Sequence, residues 1–347
     1  MRVKKSDIQP TLSILIAAYN EAKHIEQKIE NTMALRYPKD KVEILVGSDG
    51  SADDTAALVK KYGSKGVRLL EFQANRGKTA VQNDLVSHSE GEILVFTDAA
   101  SFLRSDALER LVQSFADERV GCAAGRMEFV HVGSNITVQS QGLYWRYESR
   151  IRQLESNLGR LIGVDGPLYA VRRSCYVPLA GNMISDLMTP LMVLRQGRRT
   201  ILEPEAIVYE DPTRKSGQEL KTRRRITLRG LTSLFAHREL FNSPKRAGLA
   251  LQIVLHKVLR WFVGPLVMAN AFACVMLSGH WLFAAILILY SVFGAAALSG
   301  WIVDKCGGKN RLLMVPYYFT LVNLAATLGI IDFVMRKQAI SWKPVRN

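Results

Sequence analysis

Between positions 261 and 303 the sequence contains no Asp, Glu, Lys or Arg, although charge is dense up to Arg260. A helix of about 20 apolar residues crosses a bilayer. The apolar runs at 261–277, 281–303 and 312–334 therefore predict two or three crossings. A chain of 347 residues is long enough for one soluble domain ahead of such a membrane region. The start Met1-Arg2-Val3-Lys4-Lys5 with the apolar run 12–19 imitates a signal peptide, but the run is short, Asp7 interrupts the approach and Asn20-Glu21 follows at once. A first β-strand is the better reading.

Net charge is +15, and the excess is local: twelve Lys/Arg stand against Glu219 and Glu239 between positions 214 and 260. Beside apolar spans, this patch predicts attraction to anionic headgroups of the cytoplasmic leaflet rather than to nucleic acid. Within it Gln252, His256 and Arg260 recur at four-residue spacing among leucines and valines, the pattern of a helix lying in the membrane interface. An ordinary surface helix is the alternative. The loop 278–280 carries no Lys or Arg, whereas Lys305, Lys309 and Arg311 fill the next, so the first loop is expected outside and the second in the cytoplasm. A third crossing would leave Arg336, Lys337, Lys343 and Arg346 outside, against the same rule. Pro316, Asn323 and Asp332 in the third run keep a re-entrant or interfacial helix open. The expected parts are thus a cytoplasmic domain at 1–235, a basic amphipathic region at 236–260, a membrane region at 261–334 and a basic tail at 335–347. Cys122, Cys175, Cys274 and Cys306 form no CxxC pair, which suggests neither a disulfide framework nor a zinc site.

In the first third, short Val/Ile/Leu runs at 12–18, 42–48, 67–71, 92–97 and 120–125 alternate with helical stretches at 21–35, 52–63, 77–88 and 105–116. That alternation predicts βαβ units, and hence an α/β, doubly wound, mostly parallel sheet covered on both faces. An amphipathic helix at 139–159 follows, bearing Tyr144, Trp145 and Tyr147; such a stripe is core, or a platform for a sugar or lipid. Next come an irregular glycine-rich segment at 163–173, a helix at 186–196, a strand at 199–202 and the turn Glu203-Pro204-Glu205.

Two of the strands end in an acid, Asp49 in Ser48-Asp49-Gly50-Ser51 and Asp98 in Thr97-Asp98-Ala99-Ala100. In open α/β sheets ligands bind outside the carboxyl ends of the strands, so these aspartates are candidate site residues. Asp98 could hold a divalent cation, Mg²⁺ or Mn²⁺, because such sites combine one or two carboxylates with the phosphate oxygens of the substrate. Asn75-Arg76-Gly77-Lys78-Thr79 offers two cations at a helix start, suited to phosphate. A P-loop is excluded because position 72, where it needs glycine, is Phe72.

Together these segments resemble the family 2 inverting glycosyltransferases of GT-A fold. The resemblance runs through Ala18-Tyr19-Asn20-Glu21, Ser48-Asp49-Gly50-Ser51, Asn75-Arg76-Gly77-Lys78, Thr97-Asp98-Ala99, the segment from Gly166 to Arg172, Ser185-Asp186, Glu203-Pro204-Glu205-Ala206 and the tail Trp342-Lys343-Pro344-Val345-Arg346. It implies that Tyr19, Glu21 and Asp49 hold the uracil and ribose of a UDP-sugar, with Arg76 and Lys78 near them or the diphosphate. Asp98 would coordinate the metal, Asp186 would be the catalytic base, and Gly166 with Arg223, Arg224 and Arg225 would face diphosphate and acceptor. The sequence departs from the family at Ala100, Ser185, Thr222 and Ile226. The implied activity is transfer from a UDP-sugar to a lipid-linked or glycan acceptor at a plasma membrane, with membrane lipids and other polysaccharide-assembly proteins as partners. A processive polysaccharide synthase and a silent nucleotide-sugar-binding subunit are the alternatives.

Overall fold

The computed structural model describes residues 3–130, 136–211, 216–242, 246–308 and 310–337, and these form two compact units. The first comprises 3–130 and 148–211, the second 136–147 and 216–337. The tail motif 342–346, with Lys343 and Arg346, lies outside the described residues, as do Lys309 and the side chain of Tyr144.

The first unit runs β1 (Leu12–Ala18), α1 (Ile25–Met33), β2 (Val42–Asp49), α2 (Thr55–Lys60), β3 (Val67–Phe72), α3 (Lys78–Ser87), β4 (Ile93–Asp98), β5 (Phe102–Leu103), α4 (Ala107–Gln113) and β6 (Val120–Phe129). After α5 (Ile136–Asn157), which enters from the second unit, come β7 (Leu168–Arg172), α6 (Ser185–Arg195) and β8 (Arg199–Glu210). The strands form one mixed sheet in the order β3-β2-β1-β4-β7-β6-β8-β5. Strands β3, β2, β1 and β4 are parallel, as the βαβ alternation predicts. Every residue of β1 is buried, which is why it reads as an unbroken apolar run rather than an alternating one. Helix α3 closes directly onto β2 because residue 47 is glycine: a Cβ there would lie 2.4 Å from Val81 Cγ1. The core beneath joins Leu15, Leu45, Leu85 and Phe96 to Tyr169, whose ring stacks on Phe96 with centroids 4.8 Å apart.

Two features depart from the sequence reading. The irregular glycine-rich segment contains β7, an antiparallel strand between β4 and β6, and its pairing of Leu168 with Thr97 sets the segment before it beside Asp98. The turn at Glu203-Pro204-Glu205 lies inside β8 instead of ending it. Ala124 pairs with Leu202 and Arg126 with Ile207, so the extra residues are looped out as a bulge where Pro204, lacking an N–H, opens no gap in the ladder. Glu203 is buried at that bulge and accepts from Lys5 and Ser114, each at 2.8 Å.

The second unit contains α7 (Ser216–Ala236), α8 (Ala247–Ile253), a π-helical turn at Val254–Val258, α9 (Leu259–Met276), α10 (Trp281–Lys305) and α11 (Arg311–Val334). Three helices are long and apolar enough to cross a membrane: Ala247–Met276, Trp281–Lys305 and Leu312–Val334. The segment carrying Gln252, His256 and Arg260 is therefore no separate interfacial helix, since it runs through the π turn into α9. At 1.5 Å per residue the 30 residues of Ala247–Met276 measure about 45 Å, longer than the ~30 Å hydrocarbon layer. Helix α7 groups with the apolar helices, where Arg224 pairs with Asp332 of α11.

Candidate functional site

The parallel half of the sheet delivers β1, β2, β3 and β4 to one edge, and the loops beyond that edge are tied to one another. Asn20, at φ 54°, accepts a hydrogen bond from Ala52 N at 2.8 Å, and Glu21 N donates to Thr55 Oγ1 at 2.7 Å. Glu21 itself is fully buried with its carboxylate 3.3 Å from His24 Nδ1, and Tyr19 packs against the core. Asp49 is also fully buried. Its Oδ1 accepts from Arg76 N and its Oδ2 from Gly77 N, both at 2.8 Å. Both carboxylate oxygens thus hold the Asn75-Arg76-Gly77 turn. The turn fits closely: a Cβ at Gly50 would lie 2.6 Å from Ala74 C, and Gly77 sits at φ 92°. The Arg76 guanidinium lies 4.1 Å from the Phe72 ring centroid and pairs with Asp84.

The turn delivers Lys78 at the start of α3, where its Nζ meets Asp98 Oδ1 at 2.5 Å. Asp186 stands in the first turn of α6, where a helix N-terminus favours a carboxylate. Thr79 Oγ1 donates to Met183 O at 2.8 Å and Val164 N to Asp186 O at 2.8 Å, so α3, α6 and the 163–167 segment are fixed to one another. The buried Arg152–Asp165 ion pair anchors the same segment. Gly166 marks the point of convergence: a Cβ there would lie 3.2 Å from Lys78 Nζ, 3.5 Å from Asp186 Oδ2 and 3.6 Å from Asp98 Oδ2. Two carboxylates and one ammonium thus converge where residue 166 has no side chain.

The fields of these groups are coupled. Burial alone would lower the Lys78 pKa, but the charges of Asp98, Asp186 and Glu210 outweigh it and the group ends above its ordinary value. Glu210, at the end of β8, is pushed up to about 8, first by burial and then by Asp98, with Asp165 and Asp211 adding to it and Lys78 opposing. Among the described residues no three His, Cys, Asp or Glu side chains are grouped to hold a metal. Asp98, one quarter exposed, fits a site in which one protein carboxylate is completed by substrate phosphate oxygens.

Two residues of this region escaped the sequence reading, Glu210 and Lys28. Lys28 is fully buried in α1 and donates to Thr97 Oγ1 and to Ser101 O, both at 2.7 Å. Thr97 Oγ1 in turn donates to Pro167 O at 2.8 Å, and Ser101 Oγ to Asp98 O at 2.9 Å. Lys28 thereby fixes the turn after Asp98 and, through Thr97, Pro167 just before β7. Arg223, Arg224 and Arg225 lie on α7 in the second unit. There Arg223 donates to Glu219 Oε1 at 2.8 Å and to Tyr318 Oη at 3.2 Å, while Arg224 donates to Asp332 Oδ1 at 2.7 Å.

Residues 13–175, from β1 to just beyond β7, match the Glycosyl transferase family 2 domain. The chain carries a family 2 glycosyl transferase domain. The matched residues include Asp49, Arg76, Lys78, Asp98 and Gly166, and stop short of Asp186 and the α7 arginines. The chain is 26% identical over 216 residues to a probable glycosyltransferase, YdaM, of Bacillus subtilis, covering 58% of this chain and 50% of the relative. It is 30% identical over 168 residues to a beta-monoglucosyldiacylglycerol synthase of Trichormus variabilis, covering 47% of this chain and 36% of the relative. The chain thus spans half or less of the length of these curated relatives. Among solved structures, a Pyrobaculum calidifontis mannosyltransferase in complex with GDP-Man and Mn²⁺ shares the fold at TM-score 0.72 and 21% identity, over 97% of this chain and 91% of that one.

Proposed function

We propose that this family 2 domain transfers a sugar, with inversion, from a UDP-sugar to a lipid-linked or membrane-proximal acceptor in surface polysaccharide or glycolipid synthesis. The observation that carries this is the meeting of Lys78, Asp98 and Asp186 at Gly166. Asp186 takes the proton of the acceptor hydroxyl as its oxygen bonds to the anomeric carbon. The bond from that carbon to the diphosphate oxygen breaks, and the electron pair leaves with the nucleoside diphosphate. Proton removal by a positioned carboxylate contributes about 10²–10⁴ in rate, roughly 3–5 kcal/mol. Lys78 places a fixed positive charge where the diphosphate gains negative charge, an effect strongest in a site shielded from water. Asp98 would hold Mg²⁺ or Mn²⁺, whose chemistry is to neutralise that same departing charge. Gly166 keeps a side chain from separating these groups.

A lipid acceptor is supported by the apolar helices and by a curated relative named for a glycolipid product. The test is nucleotide release by the detergent-purified full chain, screened over UDP-sugars and then GDP-sugars, with and without Mn²⁺ and with and without lipid acceptor. Release that requires metal and acceptor, is lost in Asp98→Asn and yields a singly glycosylated product supports the proposal. Long polymer from donor alone would favour the processive alternative. No release with any donor, together with tight nucleotide binding, would favour a silent subunit.

A further inference from the structure

The three apolar helices are not equivalent. Helices α9 and α10 form a hairpin in which Tyr290 Oη donates to Asn270 Oδ1 at 2.8 Å, with Trp261 and Trp301 at its base and Trp281 at its tip. Indole rings at both ends of an apolar hairpin suit the two interfaces of a bilayer. Apolar side chains such as Phe272, Ile288 and Leu289 project outward between them. Helix α11 behaves otherwise. A Cβ at Gly264 would meet Thr327 Oγ1 at 2.4 Å, one at Gly300 would meet Tyr317 Cβ at 2.7 Å, and Phe293 meets Phe319 edge to face. Gly264 and Gly300 lie near the base of the hairpin and Phe293 at the middle of α10, so α11 crosses the lower half of the hairpin rather than following it to the tip.

The partner that follows α11 along its length is α7. Tyr318 Oη donates to Glu219 Oε1 at 2.7 Å, a Cβ at Gly329 would lie 2.7 Å from Arg224 O, Arg224 pairs with Asp332, and Phe235 meets Phe333 edge to face. Helix α7 carries Glu219, Lys221, Arg223, Arg224, Arg225 and Arg229. Two helices running side by side share one depth in a membrane. If α11 crossed the bilayer, α7 would carry six charged side chains into the hydrocarbon, at a cost of about 2.5–3.5 kcal/mol for each Arg or Lys at mid-depth. The buried face of α11 (Tyr318, Leu321, Ala325, Asp332) meets protein, while Leu312, Val315, Phe319 and Leu324 are exposed. The α7–α11 pair thus combines the charged side chains of α7 with an exposed apolar row on α11, as an interfacial layer does.

We infer that α7 and α11 lie together in the membrane surface, that only the α9–α10 hairpin crosses the bilayer, and that the chain after Met335 stays on the membrane side of Cys306. This rests on the membrane reading proposed above, and it removes the conflict between a third crossing and the charges of Arg336 and Lys337. The partner of the exposed apolar face is the lipid surface itself.

The test is labelling with a membrane-impermeant maleimide in right-side-out and inverted vesicles from expressing cells. Three full-length proteins are compared. The native chain exposes Cys306 between α10 and α11 and buries Cys122, Cys175 and Cys274. The other two carry Cys306→Ser with either Ser278→Cys or Asn347→Cys. The inference expects Cys306 and the Asn347→Cys thiol to label from one side and the Ser278→Cys thiol from the other. Labelling of Asn347→Cys from the side of Ser278→Cys, with Cys306 opposite, would establish a third crossing and overturn it. All three thiols on one side would remove the crossing hairpin itself, and with it the membrane reading.

Discussion

Lys28→Met tests whether the buried ammonium holds the Asp98 turn. Met keeps most of the methylene volume and removes the donor, so Ser101 O loses its 2.7 Å partner while Thr97 Oγ1 keeps its bond to Pro167 O. A buried acceptor left without a donor costs about 1–3 kcal/mol. Against this stands the desolvation of the amine, which the variant no longer suffers. The net loss near neutral pH should therefore stay within about 2 kcal/mol. The pH dependence is the sharper signature. Burial pushes the Lys28 pKa from 10.5 down to about 7, with the charge of Asp98 opposing in part. Between those values the unfolded chain binds a proton that the folded chain does not, so stability rises with pH across that window. The limiting slope is about 1.4 kcal/mol per pH unit. The assay is thermal unfolding of the detergent-solubilised protein from about pH 6 to 10, run beside nucleotide binding titrated with Mn²⁺. Lys28→Met should lose the rise with pH and bind nucleotide about tenfold more weakly in the presence of metal, a difference of ~1.4 kcal/mol. Equal pH slopes in the two proteins, or unchanged metal-dependent binding, would refute the reasoning.

Gly166→Ala should fold normally, because its nearest neighbour is the flexible end of Lys78 at 3.2 Å, yet it fills the gap facing Asp98 and Asp186. Transfer should fall at least about tenfold with an unchanged melting temperature, and a variant as active as the native chain would place the reacting atoms elsewhere. Asp49→Ala strips the acceptor from Arg76 N and Gly77 N, at about 1–3 kcal/mol for each N–H left unsatisfied. Its melting temperature should drop clearly, with Asp49→Asn intermediate because the amide keeps one acceptor. An unchanged melting temperature in Asp49→Ala would argue against the clamp.

The parallel half of the sheet was legible because its strands are buried on both faces and flanked by helix-length segments, so β1, β2 and β4 show as apolar runs ending at loops. Asp98 and Lys78 stand out because one sits where a strand ends and the other where a helix begins, whereas Asp186 enters only through the family resemblance. Strand β7 was not, because its partners are distant in sequence and the segment before it is glycine-rich. The β8 bulge was read as a turn because Pro204 and two acids resemble one, and nothing local reveals that Glu203 turns inward to Ser114 and Lys5. Lys28 left a signal that was passed over: it lies between Ile25 and Thr32 on the buried stripe of α1. The covering of α11 by α7 depends on packing between helices far apart in the chain, which hydropathy alone does not encode.

The central claim is that Asp186 removes the acceptor proton in a gap it shares with Asp98 and Lys78. Single-turnover transfer by full-length Asp186→Asn, with nucleotide binding measured on the same preparation, tests it most directly. The account predicts binding close to that of the native chain and a rate lowered by about 10²–10⁴. Native-like turnover in that variant would contradict it.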